Sequence, residues 1–284
     1  SAVGAIDILN GESDLKPLLV SHAYRGDGAK QEDIKHLLSP PFGELSYSMS
    51  PHIIKHLEGK TDISMRGRSF NFLAMAVLGI SALRNANCDS RIETIVVPEN
   101  GYISINPPLT RRRIGSHSTR TTHPNFLNRF ESLLRDTGFH VKFVNPYQFK
   151  TKGEMLSECL DQDAIKKAVP LSVSCSHWHR EHKQCGHCVP CLIRRASVFH
   201  AGFNEDAPYK TKRLKGLIKE KDTRDDLQAV QAAIIRMKHA GNYRSWLRQS
   251  GPVPQDADIR DNLESTIKRG LAEVERLLMA DAKS

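Results

Sequence analysis

The sequence predicts an α/β fold, in which a doubly wound parallel sheet is followed by a smaller helical part. Up to about residue 170, apolar segments of strand length alternate with segments of helical periodicity, as in crossover units of a parallel sheet. Beyond that point, residues 222–248 and 259–280 carry two long amphipathic patterns, separated by a Gly-Pro-Val-Pro break. We therefore expect an α/β domain at 1–170, a cysteine-rich segment at 171–210 and a helical extension at 211–284.

The elements of the first part follow one another at regular intervals. Apolar residues at helical spacing predict a first helix from Ala2 to Leu9, ended by Asn10-Gly11. Further helices are expected at 31–38, 69–84, 124–136 and 151–159, and strands at 17–24, 45–49, 92–97 and 139–144. Pro124 suits the first position of its helix, and Thr151 with Glu154 has the spacing of a capping box. The interval 98–123 is expected to be a long polar loop.

Composition excludes several classes of protein. With 284 residues, 39% of them hydrophobic and 26% charged, the chain is long and apolar enough to form a core and is not a disordered type. Its apolar runs are far shorter than the roughly 20 residues of a membrane span, and its first residues do not resemble a signal peptide. We therefore expect a cytoplasmic protein without a membrane partner. The net charge of +9 favours anionic partners.

The cysteines indicate a metal site. Four of the six lie close together, at Cys175, Cys185, Cys188 and Cys191. Gly186 permits a tight turn, and Cys191 lies near a helix start, where the backbone dipole favours a thiolate. Four thiolates suit tetrahedral zinc and leave no open position for catalysis, so a structural Zn²⁺ is expected.

Two alternatives to that zinc set stay open. Cysteines at similar spacing also bind iron–sulfur clusters. One of four nearby histidines is alternatively a ligand in place of a cysteine: His177, His179, His182 and His187. The two remaining cysteines, Cys88 and Cys159, are expected to be core or surface thiols.

The cysteine segment, from Ser174-Cys175 through Cys185-Gly-His-Cys-Val-Pro-Cys191 to Asp206, resembles the 7-cyano-7-deazaguanine synthases (the QueC family). Three further segments agree with that family in order, at 66–76 (RGRSFNFLAMA), 121–127 (TTHPNFL) and 145–155 (NPYQFKTKGEM). The resemblance covers residues 1 to about 209. It implies a PP-loop fold of the adenine-nucleotide hydrolase-like type. It also implies a carbon–nitrogen ligase that uses ATP and Mg²⁺ to activate the carboxylate of 7-carboxy-7-deazaguanine for capture by a nitrogen nucleophile.

The chain departs from the family in two places. The family's Ser-Gly-Gly-x-Asp-Ser nucleotide loop is absent, yet residues 1–7 read like the helix that follows it, with Ser1 as the last serine. We therefore expect a chain that begins partway through this motif; the alternative is a degenerate relative that does not use ATP. The 98–123 loop and the helical extension resemble the branch of anti-phage operons of the Qat type (QatC). In that branch the nucleophile is either ammonia or an amine of an operon partner protein.

The resemblance also implies residue roles, which agree with the rule that ligands bind at helix N-termini and at the carboxyl ends of parallel strands. ATP is expected to contact Ser1, Ser21, His22, Arg66, Arg68 and Asn71. The catalytic residues are expected to be Glu99, Asn100 and His123, and the substrate-binding residues Arg120 and Thr121. The alternatives are structural: a hydrogen-bonded strand end for His22, helix caps or ion pairs for Arg66 and Arg68, and a solvated face for residues 111–113.

Two other functions compete with this hypothesis. A nucleic-acid-binding module would use the cysteine segment and the basic stretch 210–221, but the only nearby aromatic residues for base stacking are Trp178, Phe203 and Tyr209. Nucleic acid is therefore not expected as the main partner. A catalytically silent PP-loop scaffold is the other alternative. A homodimer is left open.

Overall fold

The computed structural model describes residues 1–11, 17–23, 28–38, 43–48, 68–87, 94–109, 120, 122–175, 177–178, 182–204, 206–215, 224–239 and 243–283. These residues form a mixed α/β structure that is rich in helix. The strands are β1 Leu18–Ala23, β2 Gly43–Ser48, β3 Thr94–Val96 and β4 Lys142–Val144. The helices are α1 Ala2–Asn10, α2 Gly28–Lys35, α3 Arg68–Asn87, α4 Gly101–Ile105, α5 Pro124–Asp136, α6 Lys152–Ser157, α7 Gln162–Leu171, α8 Val189–His200, α9 Arg224–Lys238, α10 Tyr243–Arg248 and α11 Ala257–Lys283.

The strands pair in parallel, as the alternation of strand and helix predicts. β1 pairs with β2 from Leu18 opposite Gly43, and β3 pairs with β4 from Thr94 opposite Lys142. Within the described residues these are two ladders of two strands each, and they are not joined into one sheet. The structure therefore confirms parallel crossovers but does not show the expected doubly wound sheet.

Several elements differ from the prediction. α4 forms inside the expected loop, because Asn100 caps it and its apolar residues Tyr102 and Ile105 are buried. α7 was not predicted; it begins at the N-cap Asp161 and has a proline, Pro170, in its last turn. The pattern over 222–248 forms two helices, α9 and α10, instead of one. α4 has five residues and α10 has six, which is too short for apolar periodicity alone to reveal either helix.

The apolar residues form three main cores. One lies between α3, α5, β3 and β4, and another joins α1, α6 and α7 through residues such as Ile6, Met155 and Ile165. The largest core packs α4 against α8, α9, α10 and α11. The helical extension therefore shares a core with residues of the α/β part, while the division of the chain into the three expected parts stays a prediction.

We also searched the helices for membrane spans. No helix in the described part of the chain has the length and apolar character needed to cross a bilayer.

Candidate metal centre and neighbouring polar site

The four predicted cysteines converge on one point. All four are buried, and their sulfur atoms lie within 4.8 Å of one another. The Sγ atoms of Cys185 and Cys191 are 3.8 Å apart, and those of Cys175 and Cys188 are 4.0 Å apart. Four sulfurs around one tetrahedral ion at ordinary zinc–sulfur distances would be about 3.8 Å apart. The site can therefore hold a single metal ion such as zinc.

Local backbone structure builds this geometry. Gly186 has φ +88°, and a Cβ on it would lie 2.5 Å from the carbonyl oxygen of Thr211. The turn therefore requires glycine. The amide of Cys188 donates to Cys185 Sγ at 3.3 Å, and the amide of Cys185 donates to Cys175 Sγ at 3.2 Å. Cys188 is the N-cap of α8, so Cys191 lies in its first turn, as expected.

The donor set itself favours a cation. Hydrogen bonds from the Cys188 and Cys191 thiols hold the pKa of Cys185 well below its ordinary value. The same contact with Cys185 raises the pKa of Cys188 to about 12 and also raises that of Cys191. Without a cation, one thiolate therefore suppresses ionisation of its neighbours, whereas a bound metal ion permits all four to ionise. An iron–sulfur cluster places several iron atoms between the sulfurs and needs wider separations, so the spacing favours one ion.

The described histidines near the site, His177, His182 and His187, are not members of the four-cysteine group. His177 and His187 are partly buried and contact the sulfur of Cys185 by hydrogen bonds. His182 is exposed, and His179 lies outside the described residues. In the described part of the chain, the residues that can hold a metal ion together are the four cysteines. The imidazoles thus surround the sulfurs as hydrogen-bonding neighbours.

The two arginines after the cysteines fix the scaffold around the site. Arg194 is buried and pairs with Asp206 at 2.6 Å, and it also donates to the Ser172 carbonyl at 2.9 Å. Arg195 donates to the carbonyl oxygens of Gly186 at 3.2 Å and of Lys212 at 2.6 Å. These contacts tie the segments before, within and after the cysteine loop to α8.

A second polar site lies beyond the carboxyl ends of β3 and β4. Asn145, which follows β4, donates from its side chain to the carbonyl of Glu99, which follows β3, at 2.7 Å. α1 packs on this junction so closely that a Cβ on Gly4 would lie 2.2 Å from Pro98. Ser1 is the N-cap of α1 and makes no side-chain capping bond. The structure therefore packs α1 against the chain beside Glu99, and the charge of Glu99 interacts with that of Lys152, a residue for which no role was expected.

Lys152 is the cation of this site. Its Nζ is 3.2 Å from Ser174 Oγ, and among the described residues no carboxylate lies within salt-bridge distance of it. Burial lowers the pKa of Lys152, and burial raises the pKa of Glu99, while the two charges oppose these shifts. In the sequence, Lys152 lies in the Thr-Lys-x-Glu helix start that ends the 145–155 segment, which predicts a capping box but no role for the lysine itself.

Two predicted catalytic residues cap helices. The Asn100 side chain accepts from the Ile103 amide at 3.0 Å and donates to Glu99 Oε1 at 2.8 Å. His123 Nδ1 accepts from the Asn125 amide at 3.2 Å. Burial, reinforced by Arg120, lowers the pKa of His123 to about 4, so the imidazole is neutral at pH 7. Both side chains are buried, and a catalytic role for them stays a prediction.

The remaining predicted residues are not brought to this site by any described contact. Arg120 donates to the Gln249 carbonyl at 3.3 Å, next to the end of α10. Ser21 and His22 lie on β1, and Asn71 lies in the first turn of α3, which begins with Arg68. Arg66, Thr121 and Cys88 lie outside the described residues, as do the side chains of His22 and Arg68. Cys159 is a core thiol, and its burial raises its pKa to about 12.

Comparisons with family models, curated proteins and solved structures gave no match for this chain.

Proposed function

We propose that this protein is a QueC-like, ATP-dependent carbon–nitrogen ligase on a PP-loop fold, with a structural zinc ion in its four-cysteine site. The observation that carries the proposal is the charge interaction between Glu99, which follows β3, and Lys152, at a place where α1 packs against Pro98. Ligands of α/β sheets bind at this edge, and an anionic ligand needs a cation and a helix N-terminus there. The sequence resemblance contributes the substrate class, a 7-carboxy-7-deazaguanine.

Lys152 supplies the charge that this reaction requires. Its ammonium group has no carboxylate within salt-bridge distance in the described part of the chain, so it is available to a phosphate or a substrate carboxylate. Glu99 carries the opposite charge within interaction range of Lys152, and a carboxylate at that place suits Mg²⁺ binding or proton transfer. ATP with Mg²⁺ would supply the activation of the acid, and these side chains would orient it for attack by nitrogen.

The four-cysteine site has a structural role in this proposal. Four protein ligands leave no position for substrate, and α8, which begins at Cys188, contributes to the largest core. The metal ion would thereby hold the segment that carries Ser174, the hydrogen-bond partner of Lys152.

The nitrogen nucleophile distinguishes two versions of the proposal. Ammonia would give an amide, and a second ATP-dependent activation would remove the elements of water from the amide to leave a nitrile. An amine of an operon partner protein would give an amide-linked conjugate in a cytoplasmic anti-phage system. The helical extension offers the surface for such a partner.

The proposal is tested by incubating the purified full-length protein with ATP, Mg²⁺ and 7-carboxy-7-deazaguanine, with either ammonia or the operon partner, and recording product masses. We expect ATP cleavage and a product that has gained nitrogen or become attached to the partner. Nitrile without a protein adduct would contradict the conjugation version. No ATP cleavage with either nucleophile would contradict the ligase proposal and favour a scaffold.

A matched pair of lysine variants tests the role of the site. Lys152→Ala is expected to lower kcat/KM by about 10²-fold, as for other groups that stabilise developing charge. Lys150→Ala is the control, because Lys150 lies two residues away and pairs with Glu158 at 2.6 Å. Equal activities of the two variants would exclude Lys152 from the reaction.

A further inference from the structure

A carboxylate of the helical extension lies beside the backbone that carries Lys152. Glu273, on α11, is 3% exposed. Its Oε1 accepts a hydrogen bond from the Thr151 hydroxyl, and its Oε2 accepts one from the Gly153 amide at 3.3 Å. The two hydrogen bonds hold the residues immediately before and after Lys152 in place.

Close packing makes this contact specific. A Cβ on Gly153 would lie 2.6 Å from Glu273 Oε1, so only glycine lets the carboxylate approach the start of α6. The Thr151 hydroxyl also accepts from the Glu154 amide at 3.0 Å, which orients its proton toward Glu273. A second residue of α11, Arg269, binds Glu154 at 2.6 Å. α11 therefore holds the first turn of α6 at two points.

We propose that Glu273 is a positioning residue, which fixes the start of α6 so that Lys152 points toward the strand-end site where it binds an anionic group of the substrate. The statement about substrate rests on the proposed function. The statement about position rests on the hydrogen bonds that Thr151 and Gly153 donate to Glu273 of α11. In this way the helical extension becomes part of the support of the active site.

Charged groups of three elements face Glu273. They are Glu154 on α6, His200 on α8 with Nδ1 at 3.7 Å, and Arg269 and Arg276 on α11. Arg276 lies 3.0 Å from His200 Nδ1. Burial raises the pKa of Glu273 to about 7, against the hydrogen bonds from Thr151 and Gly153 and the charge of Arg276. The hydrogen bonding between Glu273 and the start of α6 should therefore change within the neutral pH range.

The first arm of the test is independent of any activity. The amide resonances of Lys152 and Gly153 are followed by NMR against pH in the wild type, in Glu273→Gln and in Glu275→Gln. Glu275 is the control, because it lies on α11 but pairs with Lys238 of α9. We expect an inflection near pH 7 that only Glu273→Gln abolishes. The same inflection in Glu273→Gln would overturn the proposal.

The second arm measures ATP affinity for the same proteins and for Gly153→Ala, in which the new Cβ pushes the carboxylate away. We expect Glu273→Gln and Gly153→Ala to weaken ATP binding roughly fivefold, a typical size for coupling between sites, with no change in Glu275→Gln. Unchanged affinity in both site variants would overturn the positioning role. Absence of ATP binding by the wild type would overturn the proposed function, and the amide titration would still decide whether Glu273 controls the start of α6.

Discussion

Gly186 sets the shape of the turn that brings Cys185 and Cys188 onto one metal ion. Its positive φ and the nearby Thr211 carbonyl leave no room for a side chain. Gly202 also has a positive φ, +69°, but the space around it is open. Alanine substitutions at the two positions can therefore be compared to separate the effect of backbone strain from that of steric overlap.

Gly186→Ala is expected to lower the free energy of unfolding by roughly 2–4 kcal/mol, because left-handed strain adds to the overlap with Thr211. It should also weaken zinc binding in competition with a chelator. Gly202→Ala should cost only about 1–2 kcal/mol, from strain alone, and leave zinc affinity unchanged. Equal losses in the two variants would contradict this account of the turn.

Residue spacing explains which site residues the sequence could predict. The metal ligands all lie between Cys175 and Cys191, so their local spacing identifies them. Glu99 and Lys152 come from distant parts of the chain, and Glu273 is further still from its partner Thr151. No local pattern marks such pairs, because tertiary packing alone brings them together. Asn100 and His123 show a different difficulty. Each precedes a helix, and a polar residue at that position is as well suited to capping as to catalysis, so its role cannot be read from the sequence.

At the scale of elements, α11 contacts more of the molecule than its amphipathic pattern indicates. It packs on α4, α6, α8 and α9, and its Gly270 lies against the ring of Tyr102. The sequence predicted this helix and those with clear caps, such as α5 and α6. It did not predict α4, whose burial depends on α11 and is therefore a property of the packed structure.

Gly270→Ala tests the contact between α11 and α4. The new Cβ would lie 2.7 Å from a ring carbon of the buried Tyr102. We expect a loss of about 1–3 kcal/mol from overpacking, which exceeds the gain of about 1 kcal/mol in helix propensity. Ser265→Ala, on the exposed face of α11, should change stability by less than about 0.5 kcal/mol. A more stable Gly270→Ala protein in chemical denaturation would contradict this packing.

The stability of the α11–α6 contact should depend on pH. The pKa of Glu273 is raised from 4.5 to about 7 by burial, so its contribution is complete below pH 4.5 and is lost as the pH rises toward 7. Glu273→Gln does not titrate, so it should become more stable than the wild type across this window, by up to about 3 kcal/mol. Denaturant unfolding at a series of pH values measures the difference. Parallel curves of unfolding free energy against pH for the two proteins would show that ionisation of Glu273 does not destabilise the fold.

At the scale of the whole molecule, the cysteine site lies where the chain passes from its α/β part to its helical extension. α8 starts at Cys188 and then packs in the largest core, and Arg194 and Arg195 bind the loops on either side. A metal ion at this junction would stabilise both parts. The predicted alternation of strands and helices is confirmed in the two parallel ladders, whereas their arrangement in a larger sheet is decided by long-range packing that periodicity does not encode.

The metal content of the purified protein tests the central claim most directly. Elemental analysis with native mass spectrometry should find one zinc ion per chain, and Cys188→Ser should lose it together with a cooperative thermal transition. Cys159→Ser is the matched control, because that thiol is buried away from the site and should leave the metal in place. A wild-type protein without metal, or one that holds several iron atoms per chain, would contradict the account.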